Sequence, residues 1–138
     1  MTGDPRAPLV PVSWGELIDK ITILEIKAER LTAPDAARNA EHELGLLRGA
    51  LAMLGSDAPP ELAGLAAALA TVNRRLWDIE DAIRAKEDAR SFDADFISLA
   101  RAVYHSNDER SRIKRAINET LRSAIIEEKQ YVRYGDAT

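Results

Sequence analysis

Cysteine is absent from this chain, which excludes disulfides and thiolate metal sites and fits a reducing compartment. Aromatic residues are scarce, at 5% of 138 positions. That argues against a β-sandwich core and against the stacking platforms of single-strand nucleic-acid binders. Positive charge is in deficit: the net charge is −4 and the pI about 5.2. A broad nucleic-acid surface is not expected on such a chain. No apolar run approaches the roughly 20 residues of a membrane span. The start, MTGDPRAPLVPVS, has neither the basic opening nor the long apolar stretch of a signal peptide. There is no nucleophile elbow, phosphate loop, dinucleotide fingerprint or zinc spacing. The cytoplasm is the expected location.

What is present is Leu, Ala and Ile in helical rhythm, with 30% charged residues. The pattern predicts an all-α antiparallel bundle of about four helices, the two C-terminal ones long. Residues 1–12 hold Pro5, Pro8 and Pro11 and are expected to be a flexible segment. Residues 13–134 are expected to form one helical-bundle domain, and 135–138 a frayed tail. Ser13-Trp14-Gly15-Glu16 reads as a capping box opening the first helix, Trp14 to about Leu31. That helix is apolar nearly all round, so it should be central or shared with a second subunit. Pro34 suits the first turn of a second helix reaching about Leu54, before the break GSDAPP. A third helix runs from near Pro60 to about Arg90, with Leu62, Leu65, Leu69, Val72, Leu76, Ile79 and Ile83 as its seam. Phe92 to Tyr131, without Gly or Pro, reads as one long fourth helix, with or without a kink at Ser106-Asn107-Asp108. Rods over about 40 Å long at 1.5 Å per residue are hard for so short a chain to cover, so a homodimer is expected.

Polar residues fall on or beside these core-facing stripes, and a buried polar group must be paired or used. The interior-leaning set is Asp19 and Glu25 on helix one, Asn73, Glu80 and Glu87 on helix three, and Asn107, Arg110, Lys114, Asn118 and Glu128 on helix four. One reading is a network of ion pairs and hydrogen bonds fixing helix register. The other is a polar groove in which Arg110 and Lys114 grip a small anion while Glu80 or Glu25 orients it. The second requires Arg110, Lys114 and Glu80 to converge on a solvent-reachable cavity. No cofactor fingerprint is present. Carboxylates at i, i+3 spacing, Glu16 with Asp19 and Asp78 with Asp81, offer one Mg²⁺ reading, similar in spacing alone to helical nucleotide pyrophosphohydrolases. His42, between Glu41 and Glu43, reads as a solvated surface residue.

The blocks ELIDKITILEIKAER, NRRLWDIEDAIR, FDADFISLARAVYHSNDER and KRAIN followed by EEKQY resemble a bacterial family of helical domains of unknown function, over roughly residues 12–134. That resemblance implies an all-helical fold, a bacterial origin and an association with glycan or surface-polysaccharide assembly. It carries no catalytic residues. A weaker likeness, in LIDKITILEIKAERL and DADFISLARAVYHSNDERSR, is to the all-helical chorismate mutases. It implies a dicarboxylate ligand held by Arg30, Arg110 and Lys114. Where that family places Ser and Gln near the end of its last helix, this chain has Asp108 and Arg112. The leading expectation is thus a helical interaction or assembly protein that binds a partner or small anion. The alternative is a small helical enzyme on an anionic metabolite, mutase-like or Mg²⁺-dependent.

Overall fold

Four α-helices follow one another with short turns between them: α1 (Trp14–Arg30), α2 (Pro34–Leu51), α3 (Glu61–Asp88) and α4 (Ala94–Thr120). A computed structural model describes residues 4–135. Among the described residues there is no strand, and the fold is an all-α bundle. The Asp136–Thr138 part of the expected frayed tail lies outside the described residues.

Each helix starts for a chemical reason. Ser13 caps α1, its hydroxyl accepting from the Glu16 N–H at 3.1 Å. Pro34 occupies the first turn of α2. Asp93 caps α4 by accepting from the Phe96 N–H at 2.9 Å. Lys86 lies 2.8 Å from the same carboxylate. This bond and the Phe96 N–H pull Asp93 down to a pKa of about 2. After α2 a 3₁₀ turn, Ala52–Asp57, passes through Gly55 at φ 52°. Helix α3 ends on a left-handed Arg90. The Ser91 N–H reaches back to the Lys86 carbonyl at 2.9 Å, and the Arg90 N–H to that of Glu87 at 3.0 Å, closing a Schellman turn.

Helix α1 is the centre of the bundle. One face, Leu17, Ile21 and Leu24, packs on Ala40 and Leu44 of α2. A neighbouring face, marked by Ile18, packs on Leu69 of α3 and Ile117 of α4. Burying Leu69 and Ile117 fully contributes about 1.5–3 kcal/mol each. Together with Ile26, buried on the far side beside Leu76 and Trp77, these two contacts account for the all-round apolar character of α1.

Helix α4 is unbroken through Ser106-Asn107-Asp108. It does not, however, reach Tyr131 as the apolar stripe predicts. It stops at Thr120 on a second Schellman turn, with Arg122 at φ 50° and the Ser123 N–H on the Asn118 carbonyl at 2.8 Å. Residues 121–135 then return along α4 without helix. Glu127 reaches Lys114, Glu128 reaches Arg115, and the Tyr134 hydroxyl donates to Asp108. These tertiary partners outweigh the helical propensity of IIEEKQ, a weak local preference. Ile125 and Val132, apolar residues of this segment, are exposed.

Candidate functional site

The site forms where α1, α3 and α4 meet, around one carboxylate. Asp19 of α1 is 1% exposed. Arg110 of α4 grips it with both arms of its fork, Nε donating to Oδ1 at 2.9 Å and Nη2 to Oδ2. Asn73 of α3 donates from Nδ2 to the same Oδ1 at 2.9 Å and to the Thr22 hydroxyl at 2.7 Å. Thr22 in turn donates to the Asp19 backbone carbonyl at 2.8 Å. Three helices are thereby tied to one side chain.

One turn along, Lys114 of α4 is buried between acids. Its ammonium donates to Glu16 of α1 at 2.7 Å and to Glu127 of the returning segment at 2.9 Å, and lies 3.9 Å from Asp19. Glu16 therefore does not complete the capping box. Its carboxylate faces Lys114 rather than the Ser13 N–H, because a charge-assisted bond is the stronger one. One further turn along, Asn118 accepts from the Gly15 N–H at 2.7 Å. The Trp14 N–H meets the Ser123 hydroxyl at 3.3 Å. The first three N–H groups of α1, otherwise orphaned at a helix start, are all satisfied by Ser123, Asn118 and Ser13. No buried side-chain polar atom among the described residues lacks a partner.

These contacts set the ionisation of the group. Arg110 is pushed further up, first by its bond to Asp19 and against its own burial. Burial acts to lower Lys114, but its bonds to Glu127 and Glu16 outweigh that and leave it raised. Glu127 is held down by the Lys114 bond. The sign of each follows. The depressed Glu127 contributes stability above its ordinary 4.5, which is lost as pH falls through its lowered value. The raised Lys114 contributes below its ordinary 10.5, and that is lost as pH climbs through its raised value. An NMR titration of the Glu127 carboxyl should thus give a midpoint below 4.5 that moves back toward it in Lys114→Met. A midpoint indifferent to that substitution would detach the returning segment from Lys114.

Of the residues singled out by sequence, Asp19, Asn73, Arg110, Lys114 and Asn118 come together here. The others do not. Glu25 is half-exposed and lies 3.6 Å from Arg48, on the α2 side. Glu80 is exposed and pairs loosely with Arg84 one turn on. Glu87 is exposed near the end of α3. Glu128 belongs to the returning segment, where it meets Arg115 at 3.2 Å. Asn107 is half-buried beside Arg110, in a groove of about 360 Å³ walled by Ile23, Ile26 and Trp77. That groove reaches Arg110 and Glu80 but not Lys114, so the three groups required for anion chemistry do not converge. Arg30 is elsewhere, 2.7 Å from Asp78. Glu16 and Asp19 face cations. Among the described residues no three His, Asp or Glu side chains gather as a metal site would require. Glu127 and Ser123 escaped sequence reading because they lie past a helix end that no Gly or Pro marks.

The arrangement defines an all-α protein whose central helix is clamped at its N-terminal half by an interhelical charge network. The chain belongs to DUF6165, described as a family of unknown function, whose model matches residues 9–135. No curated protein and no solved structure matches it. The family match agrees with the block resemblance, and the mutase likeness has no counterpart among these comparisons.

Proposed function

We propose that this is a non-catalytic helical interaction and assembly protein of the bacterial cytoplasm that acts as a homodimer. Its joining surface would be the far end of the α3–α4 hairpin. One observation carries the reading: no side chain from Trp77 to His105 is buried. Helix α1 ends level with Asp78, which pairs with Arg30, and Arg74, which pairs with Glu29. Beyond that level α3 and α4 pack on each other, with Tyr134 of the returning segment edge-on to Tyr104 and His105 at its near edge. Ile79, Ile83, Phe96, Leu99 and Val103 are only half-buried there, and Phe92 and Ile97 are more than half exposed. Two helices shield one side of such a seam. A second hairpin across a two-fold axis would shield the other and complete a four-helix bundle from identical parts. The paired state of Arg110 and Lys114 supports the structural role for the polar seam over ligand capture.

The block resemblance carries the link to glycan or surface-polysaccharide assembly, and further partners would be sought among such proteins. The first test is sedimentation equilibrium over a wide concentration range. The expected result is a dimer mass, reduced to a monomer in Ile97→Glu with helicity retained. A wild-type chain that stays monomeric at high micromolar concentration would overturn the proposal.

A further inference from the structure

We infer that the cleft between α4 and the returning segment 121–135 binds the phosphate group of a small molecule. Charge is distributed unevenly along the chain. Residues 1–100 carry eleven Lys and Arg against seventeen Asp and Glu, whereas residues 101–138 carry eight against six. Much of that local positive charge lines one place. A narrow cleft of about 160 Å³ is walled by Ser111, Arg112, Lys114, Arg115 and Lys129, with Glu127 the one acid at its edge. A second cleft, of about 330 Å³, shares Ser111, Arg112 and Lys129 and adds Arg133 and Tyr131, with Asp108 on its rim.

The cations differ in how far they are already used. Lys114 is committed to Glu16 and Glu127, and Arg115 to Glu119 and Glu128. Asp108 accepts from Tyr134. Lys129 has one ion-pair partner, Glu127 at 3.7 Å, and otherwise lies against Tyr131, its ammonium 3.5 Å from the hydroxyl. Arg112 and Arg133 make no ion pair among the described residues. Arg112 is therefore the free planar fork that lies on the wall of both clefts, the geometry suited to two phosphate oxygens. The Ser111 hydroxyl lies on the wall of both clefts. The narrow cleft is below the size that takes a drug-like body, roughly 300 Å³ and up, but it suits a compact anionic head. The adjoining cleft is at that lower bound and offers the Tyr131 ring as a wall for the rest of the molecule. The narrow cleft lies along the C-terminal half of α4, whereas the proposed dimer surface lies along its N-terminal half, and the binding proposal does not rest on the dimer.

The test is isothermal titration of the full chain with inorganic pyrophosphate at low salt. Arg112→Gln and, as a remote control, Arg38→Gln on α2 are titrated beside the wild type, with helicity checked for each. The expected result is one saturable site, weakened at least tenfold in Arg112→Gln, unchanged in Arg38→Gln and weakened by added salt. The source of the phosphate is separated by co-sedimentation with phosphatidylcholine vesicles with and without phosphatidate. Capture of the chain only by phosphatidate vesicles, with no heat from pyrophosphate, would overturn the small-molecule assignment. No saturable binding, or equal binding by wild type and both variants, would overturn the site itself.

Discussion

Asp19→Ala is expected to lower the stability of the chain by about 3 kcal/mol, the low end of the range for removing one partner of a buried ion pair. The loss has identifiable parts. Arg110 keeps its charge but loses both acceptors of its fork, and Asn73 loses one of the two acceptors of its amide. Arg110 is 29% exposed and can partly turn toward water, which is why the low end applies. For a chain of this size that corresponds to a fall in Tm on the order of 10 °C. Guanidinium unfolding monitored by helicity measures it directly. Asp19→Leu combined with Arg110→Met should recover most of the loss, because exchanging a whole buried pair for apolar side chains is close to neutral. Lys114→Ala should cost a similar amount, since it leaves Glu16 and Glu127 facing one another beside Asp19. If Asp19→Ala and Lys114→Ala both melt with the wild type, the network does not hold the bundle together, and these residues would have to be explained by binding instead.

Helical periodicity made a definite part of this legible in advance. Projecting residues at about 100° per step places Arg110, Lys114 and Asn118 on or beside a core-facing stripe of α4 and Asn73 at the edge of the α3 seam, and all four are found in the interior network. It also marks Asp19 as a shielded carboxylate. What projection gives is a direction from the helix axis, not a neighbour in that direction. Glu80 and Glu87 sit at the edge of a seam on the part of α3 that no third helix covers, so the same angular position that buries Asn73 leaves them in water. Glu25 is at the rim between α1 and α2 and meets Arg48 instead of the core. The end of α4 was illegible for a different reason. Arg122 takes a left-handed conformation usually given to Gly, and nothing in SAIIEEKQY forbids helix. Its path is decided by Lys114, Arg115 and Asp108, partners 13 or more residues away in sequence. Projection therefore puts Glu128 on a helix face that does not exist and gives no sign of Glu127.

Gly15→Ala separates local propensity from tertiary packing, because the two predict opposite signs. Ala is the better helix former by about 1 kcal/mol in a helix interior, so propensity alone predicts a more stable protein. The packing predicts otherwise. Gly15 lies where α1 crosses α4, and a methyl group there would sit 2.5 Å from the Lys114 carbonyl oxygen and 2.9 Å from Asn118 Oδ1. The first of these is backbone inside α4 and cannot swing aside. Relief requires the two helices to separate, which stretches the 2.7 Å bond from the Gly15 N–H to Asn118 and loosens Ile18 against Ile117. Overpacking of this kind costs about 1–3 kcal/mol. A buried amide left without its acceptor costs about 1–3 kcal/mol more. The net expectation is a loss of about 3 kcal/mol, comparable to Asp19→Ala and reached without touching a charge. Asn118→Ala tests the second part alone, since it removes the acceptor and leaves room for the helices to stay close. If Gly15→Ala is destabilising and Asn118→Ala is milder, close approach of the backbones is the main reason for glycine at this position. If Gly15→Ala raises Tm, α1 and α4 do not cross here as described, and the clamp built on Lys114 and Asn118 falls with that crossing.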